Sequence, residues 1–101
     1  MIEIKYTKNG NTGCIEITGH ANYAEHGKDI VCSAVSTLSQ TLIASIEKLE
    51  PEADITYNMQ PGFIKLIHGN LSEKSKTLID SFFIGVKMVA EQYPDYANVK
   101  E

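Results

Sequence analysis

Apolar and polar residues alternate along residues 2–8 (IEIKYTK), which places Ile2, Ile4 and Tyr6 on one side of an extended chain. They alternate again along 14–18 (CIEIT), where Ile15 and Ile17 share a side. The intervening NGNTG is turn chemistry, so this region predicts a β-hairpin. From Ile30 to Leu49 the period changes: Val31, Val35, Leu38, Leu42, Ile46 and Leu49 recur at helical spacing behind Asp29, a residue suited to the N-cap. Pro51 ends that helix. Alternation then returns over 54–60 (DITYNMQ) and, after Pro61-Gly62, over 63–69 (FIKLIHG), predicting a second hairpin. Asn70 with Glu73 three residues on resembles a capping box, and Leu78, Phe82, Val86, Val89 and Tyr93 form a second helical stripe up to Pro94.

The predicted order is ββαββα with a short polar tail after Tyr96. It implies an α+β fold of two layers, a four-stranded, largely antiparallel sheet with two helices packed on one face. Residues 1–101 read as a single domain. The other sheet face is left uncovered. Alternate residues expected there include Tyr57 and Lys65, a mixed surface that allows self-association through a sheet face or a helix. Residues 19–29 (GHANYAEHGKD) have no period and form a longer connection than most, which is where functional loops occur.

Composition narrows the function. The net charge is −4, and all nine basic residues are Lys, so the chain lacks the phosphate-neutralising surface and the bidentate Arg readers that direct nucleic-acid binding uses. No run approaches the ~18 consecutive apolar residues of a membrane span, and the alternating N-terminus does not resemble a secretory leader. The expectation is a cytoplasmic protein with no membrane association. In that compartment its two cysteines, Cys14 and Cys32, are free thiols.

Cys32 falls three residues past the expected N-cap, where free backbone N–H groups and the positive end of the helix dipole favour an anionic sulfur. It sits beside the apolar stripe rather than in its centre. Ser36 and Ser39 continue its line along the helix. His20, at the end of the second strand, is a candidate base or imidazolium partner for that thiol, and Gly19 and Gly27 permit the backbone conformations that close approach requires. Blander readings compete. A cysteine near a helix start is more often a small buried hydrophobe, and loop histidines are more often solvated. A metal site from His20, His26 and Cys32 lacks the close ligand pairs of common zinc sites, so no metal or cofactor is expected. Cys14 reads as structural, and His68, between apolar neighbours, as a satisfied packing residue.

The string GHANYAEHGKDIVCSAVSTLSQTL resembles the ribosomal-processing cysteine protease family of bacteria. Its Gly-His pair, loop, and Gly-x-Asp-x-Val-Cys-x-Ala-Val-Ser pattern are met by Gly19, His20, Gly27, Asp29, Val31, Cys32, Ala34, Val35 and Ser36. The resemblance implies a homodimeric cysteine endopeptidase that removes a short N-terminal extension from the large-subunit ribosomal protein L twenty-seven, cutting after paired aromatic residues. It makes Cys32 the nucleophile and His20 the base, with Asp29, Ser36 and Gly19 in support. An apolar pocket beside Cys32 follows, with Tyr23 and Gly27 as its substrate-binding residues, Tyr23 as a wall and Gly27 as a hinge of the loop.

In such an enzyme backbone N–H groups around Cys32 would bind the oxyanion, and Asp29 would either orient His20 or cap the helix. Residues 21–28 would form a lid over the substrate. A non-catalytic ribosome-associated binding protein and a redox-active thiol protein are the alternatives. The former would not need Cys32, and the latter would not need His20.

Overall fold

The computed structural model describes residues 1–101. The first alternating run becomes β1 (Ile2–Asn9) and the second β2 (Thr12–Thr18), joined antiparallel through a turn in which Gly10 has φ +61°. Then follow α1 (Ile30–Leu49), the antiparallel pair β3 (Ile55–Gln60) and β4 (Phe63–His68), and α2 (Glu73–Gln92). A last strand, β5 (Ala97–Lys100), completes a sheet of order β3-β4-β2-β1-β5.

The sheet is thus five-stranded and mixed, not four-stranded and antiparallel. The residues expected to form a polar tail pair in parallel with β1, Ile2 opposite Ala97 and Ile4 opposite Val99, and the Ile2 N–H donates to Tyr96 O at 2.9 Å. Only four residues long, this strand is too short to show a period. It forms because β1 would otherwise leave a ladder edge unpaired, and α2 delivers the chain to that edge.

Topology explains why both helices share one face. β2 and β4 run antiparallel, and α1 carries the chain from β2 towards β3 while α2 carries it the opposite way from β4 to β5. The two reversals cancel, so two right-handed crossovers lay both helices on the same side. Between the layers Ile4, Ile15, Leu66, Val31, Ile46, Ile79 and Val86 are fully buried in one cluster of 18 apolar residues. α1 is 20 residues long and contains a window of mean hydropathy 1.3, as apolar as a short membrane span, and it uses that character to bury Val31, Val35, Leu42, Ile43 and Ile46.

Two local expectations are corrected. Tyr57 lies opposite Leu66, and directly opposed residues share a face, so it is on the helix side, where its hydroxyl donates to Glu47 of α1 at 3.1 Å. Lys65, opposite Glu16 and Asn58, is on the open face as expected. The α2 cap is Ser72, not Asn70: its Oγ accepts from the Ser75 N–H at 3.2 Å and donates to Glu50. Glu73 then starts the helix instead of closing a capping box.

Candidate active site

Asp29 organises the start of α1. Its Oδ1 accepts from the N–H groups of Val31 and Cys32, both at 3.0 Å, and its Oδ2 accepts from those of Tyr23 at 2.9 Å and Ala24 at 3.5 Å. Partial burial works against the charge of this carboxylate, but the four donors outweigh it and hold the group below its usual range. Asp29 therefore caps the helix and clips the preceding loop to it, and neither oxygen is left for an imidazole. The same geometry corrects the expectation for the oxyanion. The N–H groups of Val31 and Cys32 are spent on Asp29 and are not free for an oxyanion.

Cys32, in the first turn, is half-buried at the edge of the core. Its Sγ accepts the backbone N–H of Ala21 at 3.3 Å, from the loop that the same chain folds over it.

His20 lies two residues past the end of β2 and is exposed. Between it and the strand, Gly19 has φ +92°, and a Cβ there would lie 2.5 Å from Met1 O, so only glycine fits. The Gly19 N–H donates to Gly62 O at 2.9 Å, tying the end of β2 to the β3–β4 turn.

Cys32 and His20 open onto one cleft of about 730 Å³. Asp29 lines it at the helix cap, Ser33, Ser36 and Gln40 from α1, and Gly27 and His26 from the loop. Its apolar floor includes Ile17, Val35 and Ile64. Ser36 is exposed in the cleft, whereas Ser39 turns its hydroxyl back onto Val35 O at 2.7 Å. Tyr23 is not in the cleft lining. Its ring packs edge-on against Tyr93 and Tyr96, with centroids 5.4 and 5.1 Å away. With Ala21 buried and Tyr23 held this way, the loop is pinned at its base, and its tip is a turn closed by Lys28 N–H to Glu25 O at 3.0 Å.

The opposite wall is the β3–β4 hairpin, Met59 to Ile64, which the sequence reading left out of the site. Nothing local marks it. It reaches the cleft because β4 pairs with β2, bringing Phe63 opposite Thr18.

The remaining candidates lie elsewhere. Cys14 is on the open sheet face, opposite Thr7 and Ile67, and burial together with the Glu16 carboxylate pushes its thiol up. His68 is buried, with Nδ1 donating to Gly69 O at 2.7 Å and Nε2, in the neutral ring, accepting from the Tyr6 hydroxyl at 2.7 Å. No three His, Cys, Asp or Glu side chains gather as metal ligands do.

Comparison with known proteins shows what the chain as a whole is similar to. A family model described as cysteine protease Prp matches residues 1–98. The ribosomal processing cysteine protease Prp of Bacillus subtilis is 26% identical over 107 residues, covering 98% of this chain and 96% of its own. An essential ribosomal processing protease Prp from S. aureus, crystallised with a covalently linked product peptide, superposes with a TM-score of 0.85 at 21% identity, covering all of both chains. A protein of known structure from Streptococcus mutans is 31% identical, with a TM-score of 0.77, over 99% of this chain and 92% of its own.

Proposed function

The chain belongs to the cysteine protease Prp family and is a cysteine protease, and from that premise we propose that it removes the N-terminal extension of a ribosomal protein precursor with a Cys32–His20 dyad. The precursor is that of L twenty-seven, and cleavage follows its paired aromatic residues. The observation that carries this reading is the pair itself: a sulfur in the first turn of α1 and an imidazole at the end of β2 face one cleft with an apolar floor.

The chemistry is acyl transfer. The Cys32 thiolate attacks the scissile carbonyl carbon and forms a C–S bond. The C–N bond then breaks as the His20 imidazolium gives its proton to the leaving amine. Water, deprotonated by neutral His20, attacks the thioester, and the carboxylate product leaves as the sulfur regains its electron pair. The helix dipole and the Ala21 N–H stabilise the sulfur anion at both ends of the cycle. Ser36, one turn beyond Cys32, offers a hydroxyl to the peptide, and Gly27 lets the loop backbone approach it. Asp29 supports the site by fixing the helix start and the loop, and Tyr23 does so from outside the cleft by anchoring that loop.

The enzyme works in the cytoplasm, without a cofactor, membrane or direct contact with nucleic acid, as a single-domain protomer of a homodimer. Ile84 and Met88, one turn apart on the outer face of α2 and each 64% exposed, supply an apolar stripe for that contact.

The test is cleavage of a peptide carrying the paired aromatics. Cys32→Ser and His20→Ala each abolish turnover while the unfolding transition stays within about 1 kcal/mol of the parent, since neither side chain centres on the core. Turnover retained in folded Cys32→Ser would end the proposal.

A further inference from the structure

The imidazole of His20 rests on a turn that belongs to neither half of the motif. Gly62, in the β3–β4 turn, has φ +73°, and a Cβ built on it would lie 2.7 Å from His20 Nε2, 3.1 Å from Cε1 and 3.4 Å from Cδ2. The ring therefore lies against the Cα of Gly62, in space that any other residue would fill. The contact is doubly fixed, because Gly62 O accepts the N–H of Gly19, the residue just before His20. His20 makes no hydrogen bond to another side chain, and Asp29 has no oxygen left for it, so packing against this turn is what limits the ring.

We propose that Gly62 is a positioning residue for the catalytic imidazole: its missing side chain and its carbonyl together form the seat that aims the His20 ring into the cleft beside Cys32. The inference rests on the dyad reading given above. A displaced ring forfeits proton transfer, while the apolar floor that holds the peptide stays in place.

Gly10 provides the control. It occupies the other hairpin turn at φ +61°, with nothing within 4 Å of an added Cβ, so Gly10→Ala carries left-handed backbone strain without touching a neighbour. Gly62→Ala adds the collision to the strain. Gly62→Asn carries the same Cβ in a residue that tolerates this backbone region, so it keeps the collision with less strain.

The experiment measures the rate of Cys32 alkylation by iodoacetamide against pH, together with kcat and KM on the peptide, in the parent, His20→Ala and the three glycine variants, with urea unfolding to establish folding. In Gly62→Asn the alkylation profile moves to that of His20→Ala, and kcat falls roughly 10- to 100-fold, the scale of a displacement near 1 Å. KM stays within about twofold because the apolar floor that holds the peptide, Ile17, Val35 and Ile64, is unchanged. Gly10→Ala keeps the parental profile and kcat whatever its loss of stability. A parental profile and kcat in folded Gly62→Asn, beside an altered His20→Ala, overturns the seat and leaves the dyad standing. A parental profile and cleavage in His20→Ala overturns the dyad, and the seat with it.

Discussion

The two thiols of this chain sit in opposite surroundings. Cys32 accepts a backbone N–H in the first turn of α1, and Cys14 lies against a carboxylate on the open sheet face. Cys32 is therefore expected to be alkylated by iodoacetamide at least about tenfold faster than Cys14 near pH 7, as read by mass spectrometry of a partial reaction. Equal labelling would remove the chemical basis for the nucleophile. Asp29 gives a pH-dependent prediction. Its folded carboxyl is held below the ordinary value of 3.8, so its stabilising effect is complete above that value and is lost as pH falls through the folded one. Asp29→Asn should unfold at lower urea than the parent at pH 7, with the gap closing below about pH 4. Asp29→Ala, which loses every acceptor, should cost about 1 kcal/mol, the usual value of an N-cap. A gap independent of pH would show that geometry alone, and not charge, gives Asp29 its effect.

At the scale of elements, the packing of α1 on α2 turns on one glycine. A Cβ on Gly85 would lie 2.9 Å from Leu38 Cδ2, the flexible tip of a side chain, so Gly85→Ala should be nearly neutral once its better helix propensity is counted. Gly85→Leu should destabilise by about 1–3 kcal/mol through overpacking, measurable by urea unfolding. The loop before α1 makes a different prediction. Tyr23→Ala frees it from Tyr93 and Tyr96 and should speed hydrogen exchange of the amides of residues 21–24, leaving those of β2 and β4 unchanged. These elements also show what could be read from sequence. Both helices and both hairpins were legible because each buries a face at a regular period, and Cys32 and Asp29 were legible because capping is a local matter. Tyr57 was misassigned because alternation tells which residues share a face but not which face the helices choose. β5 and the hairpin wall of the cleft escaped for another reason: they owe their places to pairing with β1 and β2, strands distant in sequence.

For the molecule as a whole, the stripe of Ile84 and Met88 predicts that the double replacement Ile84→Lys/Met88→Lys shifts sedimentation velocity from dimer to monomer without lowering the unfolding midpoint. A dimer that survives both lysines would place the contact elsewhere, with the open sheet face around Ile67, itself 46% exposed, as the next surface to probe. The strand order has a consequence for synthesis. β1 lies between β2 and β5, so the strand made first of the five waits for the one made last, residues 97–100, before both of its edges are covered. Until then a nascent chain can form its first hairpin and α1, but it carries an open β1 ladder and an incomplete cover over Ile2 and Ile4. Ile2 also lines the cleft and pairs with Ala97, so the site is finished only once residues 97–100 have been made, and a chain stalled before residue 97 should be released unable to cut.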